Sequence, residues 1–245
     1  MAYGCWRGVV GTVKPTMRPG SYEELVRLLP EGIGVVPLFV AGRRPPIDDL
    51  DQALEAYEAK IADMAVIKPD MIHLEGAATF MQLGPEREAE TVAAWEKKFD
   101  VPIFTASQNQ VRALKALEIR NVVGVTYASG NMNAVYGRYL TEAGISVSAM
   151  EGIPADWEDV DKITPERVYG VAKRAFLSAS GADGIYLHGS DWRILKAVEL
   201  LERDLGIPVV HAVAARSWEI QKRLVVRQPI ENRGRLLREM PVLPL

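Results

Sequence analysis

The stretch "DMIHLEGAATF" (residues 70–80) returns in altered form as "DGIYLHGSDWR" (183–193). Asp70, Ile72, Leu74 and Gly76 match Asp183, Ile185, Leu187 and Gly189, with Glu75 before the first glycine turn and His188 before the second. Each copy is an apolar run that stops at glycine, the pattern of a buried strand ending in a tight turn. The match continues downstream, where "FDVPIFTASQNQVRALKAL" (99–117) pairs with "LGIPVVHAVAARSWEIQKRL" (205–224). Both copies run strand, glycine turn, helix, proline-led strand, helix, which reads as an internal duplication.

Working outward, strands are predicted at 7–13, 33–39, 70–75 and 101–106, and again at 121–127, 144–150, 183–189 and 207–213. Amphipathic helices are predicted at 21–30, 48–64, 86–99 and 190–206, the second placing Leu50, Leu54, Tyr57, Ile61 and Met64 on one face. Continuous apolar strands separated by helices imply parallel sheets covered on both faces. The fold class is therefore α/β: two pseudo-symmetric lobes, each a four-stranded parallel sheet flanked by helices. Lobe one is placed at 1–118 and lobe two at 119–213, with 214–245 packing back on lobe one. Ligands gather at the carboxyl ends of parallel strands, so an active-site cleft is expected between the lobes, walled by Glu75–Gly76 and His188–Gly189.

Composition narrows the function. A net charge of −3 offers nothing to attract nucleic acid. Cys5 is the only cysteine, which rules out an intramolecular disulfide and a cysteine-rich zinc site. The three histidines lie on separate strands with no H-x-x-x-H spacing, so no metal is expected. No apolar run reaches the ~20 residues that span a bilayer, and "MAYGCWRGVVG" is too interrupted for a signal peptide. A cytoplasmic protein with no membrane partner is expected.

From "RGVVGTVKP" to "RSWEIQKRL", and most strongly in "VPIFTASQNQVRALKALEIRNVVGVTY" and "GADGIYLHGSDWRILKAVELLERDLGIPVVHAVAARSWEI", the chain resembles the aspartate/glutamate racemase superfamily, in its arylmalonate decarboxylase and maleate isomerase branch. The resemblance implies the two-lobed fold, no cofactor, and proton transfer at a carbon beside a carboxylate through an enediolate. In that family, cysteines in the two turns move the protons. Here "LEGAATF" and "LHGSDWR" put Gly76 and Gly189 in the cysteine positions, and the internal repeat favours Gly76 over Glu75 for the first. Both thiols are thus missing, and the family's Thr-Ser pair has become Ala77–Ala78, with Thr79 as a substitute donor.

The oxyanion cradle the family needs can still be drawn. Its candidates are the N–H groups after Gly76 and Gly189, Ser190 at a helix N-terminus, and the Tyr127 hydroxyl. Ser129, Asn131 and Asn133 follow in "YASGNMN". Glu75, His188, His211, His73 and Asp191 are the remaining acid/base candidates. Each also has a plain structural use: an ion pair for Glu75, a satisfied strand end for His188, core packing for His73 and a helix cap for Asp191. Lys14, Arg18, Arg43 or Arg44, in loops after the first two strands, are candidates to clamp a substrate carboxylate.

Three functions fit. A decarboxylase or lyase needs one proton donor, Glu75 or His188, plus the cradle, and is favoured over a racemase or isomerase, which needs the thiol pair. A hydrolase of a cyclic amide or acid derivative would use the same residues to activate water. A degenerate member would bind a small acid without turnover. The tail "RLVVRQPIENRGRLLREMPVLPL" (223–245) runs past the resemblance and is a candidate contact for a homo-oligomer.

Overall fold

A computed structural model describes residues 4–18, 22–41, 49–128 and 130–244. It divides into two compact units, the first made of Met1–Pro19 and Leu29–Gln108, the second of Gly20–Leu28 and Asn109–Leu245.

The first unit holds strands β1 (Gly8–Thr16), β2 (Ile33–Ala41), β3 (Met71–Leu74) and β4 (Ile103–Thr105), all parallel, in the order β2-β1-β3-β4. Helices α2 (Leu50–Ala65), α3 (Ala77–Leu83) and α4 (Pro85–Phe99) belong to it. The Asp49 side chain caps α2 by accepting from the Gln52 N–H at 3.0 Å. Most of the predicted face of α2 packs as read: Tyr57, Ile61 and Met64 are buried with Val13, Ile72, Leu74 and Phe80, and Leu54 lies against them, whereas Leu50, at the first position of the helix, is half-buried and outside that cluster. Pro85 sits at the first position of α4, where its missing N–H costs nothing.

The second unit repeats the topology. Strands β5 (Asn121–Thr126), β6 (Ser146–Gly152), β7 (Gly184–Leu187) and β8 (Val209–His211) run parallel in the order β6-β5-β7-β8. Helices α1 (Glu23–Leu28), α6 (Asn131–Glu142), α7 (Pro165–Ser178), α8 (Leu195–Leu205), α9 (Ala212–Arg223) and α10 (Arg235–Glu239) accompany it, and α5 (Ala106–Ala116) straddles the unit boundary. The matched aspartates do matched work. Asp70 Oδ2 accepts from the Val9 N–H at 2.7 Å, and Asp183 Oδ1 accepts from the Asn121 N–H at 2.9 Å, each pinning the amino end of its sheet's first strand.

The lobe boundaries expected from sequence need correction. Residues 109–118 and the whole 214–245 segment group with the second unit, not the first. Hydrogen bonds explain the tail's place: Trp218 Nε1 donates to the Pro241 carbonyl at 3.0 Å, Lys222 Nζ to that of Met240 at 2.6 Å, and the Arg235 N–H to Glu202 Oε2 at 2.7 Å. Leu236 and Leu237 are buried. Among the described residues no helix is long and apolar enough to cross a membrane.

Candidate active site

In each sheet the chain moves outward from its first strand and then crosses back to the other side, so the strand order reverses between β1 and β3, and between β5 and β7. Side chains at the carboxyl ends of such a pair flank a crevice suited to ligands. The quoted stretches both end there.

In the first unit the corner is charged. Lys14 and Glu75 are buried, and Lys14 Nζ stands 3.5 Å from Glu75 Oε2. Lys14 was expected in a loop as a substrate clamp. The structure instead places it within β1, because the strand runs on to Thr16, and its ammonium is committed to Glu75. The Tyr57 hydroxyl donates to the Glu75 carbonyl at 2.7 Å. Burial, and then the Glu75 charge, push the Tyr57 phenol well above its ordinary range, while the Thr79 side chain pulls the other way. The phenol stays protonated, and Thr79 serves it. Gly76 has φ +93°, and a Cβ there would meet the Tyr57 hydroxyl at 2.1 Å, so any other residue would carry backbone strain and force the Tyr57 side chain to shift. The Gly76 carbonyl accepts from the N–H groups of Thr79 and Phe80, which starts α3 at Ala77 without delay. His73 is buried beside Phe104, ring centroids 4.7 Å apart. Thr105, which the repeat matches to His211, donates to buried Glu88 at 2.5 Å, as Ser107 does.

In the second unit the corner is aromatic. Gly189 has φ +99°, and a Cβ there would lie 2.3 Å from Tyr127 Cε1 and 2.7 Å from its hydroxyl. The Tyr127 hydroxyl donates to Asp191 Oδ2 at 3.3 Å. Asp191 is therefore a partner of Tyr127 and not a helix cap. Ser190 is not at a helix N-terminus either, since α8 begins only at Leu195. The Trp192 indole is fully buried and donates to the Gly189 carbonyl at 3.2 Å, taking the acceptor that opens a helix in the first unit. The N-terminus of α8 is served by Glu24 of α1, which accepts from the Leu195 N–H. Burial raises the Glu24 carboxyl to about 7 against that bond and the nearby Arg193 and Arg233.

His188 is buried, its ring stacked on Tyr136 with centroids 4.0 Å apart and its Nδ1 2.6 Å from the Tyr186 hydroxyl. Burial takes its imidazole down to about 3. His211, at the end of β8, is also pulled down to about 3, by burial first and then by the charges of Arg216 and His188. Its ring lies beside the Gly189 backbone, yet neither nitrogen completes a hydrogen bond of good geometry. Both histidines are neutral at pH 7, which removes His188 as an acid there. Asn131 is exposed at the first position of α6, whereas Asn133 turns inward to accept from Thr126 Oγ1 at 2.7 Å. Arg43, Arg44 and Ser129 lie outside the described residues.

Sequence reasoning missed Tyr57, Tyr136, Tyr186, Gln110 and Trp192 as parts of these corners. Tyr57 and Tyr136 lie inside α2 and α6 and Tyr186 within β7, and nothing in their local sequence marks the contacts they make.

The family described as arylmalonate decarboxylase matches residues 19–237. The arylmalonate decarboxylase of Bordetella bronchiseptica is similar, at 24% identity over 219 residues, covering 83% of this chain and 91% of that protein. A crystal structure of arylmalonate decarboxylase superposes with a TM-score of 0.83 at 21% identity, covering 94% of this chain and 99% of the other. A maleate cis-trans isomerase of Nocardia farcinica, solved with a covalently bound succinylcysteine intermediate, gives 0.80 at 23%, covering 94% and 98%. At these identities the superpositions speak for the fold. Cys5, the single cysteine of this chain, is exposed just ahead of β1.

Proposed function

From the premise that this chain belongs to the arylmalonate decarboxylase family, we propose that it is a cofactor-independent lyase that decarboxylates a small carboxylate and handles the proton without sulfur. Loss of carbon dioxide leaves an electron pair on the adjacent carbon, delocalised as an enediolate. That carbon must then take one proton, and water restores it to the donor. The observation that carries the reading is the buried Lys14–Glu75 pair immediately before the Gly76 turn. Between them the two side chains hold one transferable proton in a setting where charge is poorly solvated, and general acids so placed contribute about 10²- to 10⁴-fold.

The neutral state of His188 and His211 favours a lyase over the hydrolase reading. An imidazole held near 3 is a weak base for activating water. His188 is accordingly given no proton-transfer step in this reading and acts as a neutral hydrogen-bonding group.

The test is turnover of phenylmalonate in D2O followed by NMR. Release of carbon dioxide, with one deuterium on the new C–H carbon, supports the reading. Glu75→Gln should lower kcat by about 10²-fold or more, and Cys5→Ser should leave it unchanged. Equal turnover by the Glu75 variant would remove that residue from the chemistry.

A further inference from the structure

Buried in the second unit is a chain of three polar side chains that runs from a helix to the corner. The Tyr186 hydroxyl on β7 is 2.5 Å from Gln110 Oε1 on α5 and 2.6 Å from His188 Nδ1. Gln110, Tyr186 and His188 are all at most 4% exposed. The Tyr186 phenol is held well above its ordinary range, mainly by burial, so its oxygen carries one proton at any pH the fold survives. A phenol has one hydrogen to donate, and a carboxamide oxygen can only accept. With that hydrogen on Gln110 Oε1, the short contact to His188 closes only if Nδ1–H donates to the Tyr186 oxygen.

We infer that Gln110 and Tyr186 are positioning residues that hold His188 in the tautomer with its hydrogen on Nδ1, leaving Nε2 with a bare lone pair. The inference deepens the function proposed above and rests on it for the use made of that lone pair. Which ring nitrogen carries hydrogen is set by the bond the other nitrogen makes. Stacking on Tyr136 fixes the plane of the ring as well. The result is an imidazole that can accept a proton or a hydrogen bond through Nε2 but cannot donate one from it. Gln110 and Tyr186 are 76 residues apart, so neither is legible as a partner of the other in sequence.

The experiment uses the full chain labelled with 15N-histidine, without substrate, and reads two-bond 1H–15N correlations; His73→Asn and His211→Asn variants assign the remaining signals. The expected pattern for His188 is a protonated Nδ1 and an unprotonated Nε2. Gln110→Met removes the acceptor while leaving Tyr186 and His188 in place. The phenol hydrogen should then turn to Nδ1, and the pattern should invert to the Nε2–H tautomer. Gln110→Glu, which keeps an acceptor oxygen, should preserve the original pattern. A wild-type spectrum showing Nε2–H, or a Gln110→Met spectrum identical to wild type, overturns the inference, and the wild-type spectrum alone decides if a variant does not fold. Failure of the function reading looks different, as the expected tautomer in a chain that does not turn over phenylmalonate.

Discussion

The Trp192 indole donates to the Gly189 carbonyl across 3.2 Å, and through that bond one side chain sets where a helix begins. In the first unit the equivalent carbonyl, on Gly76, accepts from the N–H groups of Thr79 and Phe80 and opens α3. In the second, Trp192 occupies it, and residues 190–194 stay irregular, bending at 190–192, until α8 begins at Leu195. Trp192→Phe keeps the aromatic bulk but strands a buried carbonyl, which costs about 1–3 kcal/mol. Urea unfolding should show that loss, and hydrogen exchange should rise in residues 190–194 beyond the global change.

Gly189 is fixed by two separate constraints, and they can be pulled apart. Gly189→Ala meets both the positive φ, worth about 1–3 kcal/mol, and contact with the Tyr127 ring at 2.3 Å. In a double-mutant cycle with Tyr127→Ala, the ring contact disappears and the φ cost remains. The two changes should therefore couple by more than about 0.5 kcal/mol, measured by chemical denaturation.

How much of this was legible in sequence can be argued from the same residues. The α/β class, the two sheets and the face of α2 follow from local apolar period, which the chain shows clearly at Leu54, Tyr57, Ile61 and Met64. The twin glycines were legible because a positive φ beside a ring leaves one residue type, and one residue type repeated at one place is visible. The start of α8 was not legible, since Ser190 and Asp191 resemble a helix cap and only a buried indole from two residues on displaces that outcome. Lys14 read as a loop charge because a lysine at a strand end is ordinarily solvated, and its counter-charge lies 61 residues away on Glu75. The tail's partner was misread for the same kind of reason: Glu202, Gly206 and Trp218, which hold it, carry no local mark of doing so.

The Lys14–Glu75 pair should matter more to the fold when broken than when replaced. Removing one member of a buried ion pair costs about 3–5 kcal/mol, because the other charge stays in a poorly solvating place, while replacing both with neutral groups of similar size is far milder. Lys14→Met alone should thus lower the denaturation midpoint sharply, and Lys14→Met with Glu75→Gln should recover much of it. If the single and double variants are equally unstable, the ion pair is not what keeps the two charges tolerable.

Acid should unfold this protein through its histidines, and the window can be worked out. His188 and His211 sit near 3 in the folded chain against an ordinary 6.5, so between those values the unfolded chain binds two more protons. Stability therefore falls as pH falls through that range, by about 1.4 kcal/mol per pH unit for each histidine. Glu24 acts against this. Its folded carboxyl titrates at about 7 against an ordinary 4.5, so between pH 7 and 4.5 it is the folded chain that binds the extra proton. Raised Glu202 opposes the loss in the same sense. The loss should accordingly be shallow from pH 6.5 to 4.5 and steep from 4.5 towards 3, where the carboxyls no longer compensate. Glu24→Gln should make the upper part of the curve steeper, and His211→Asn should flatten the lower part. Urea midpoints collected from pH 3 to 7.5 test both, and a wild-type curve with no loss of stability between pH 4.5 and 3 would show that the histidines titrate alike in the folded and unfolded chain.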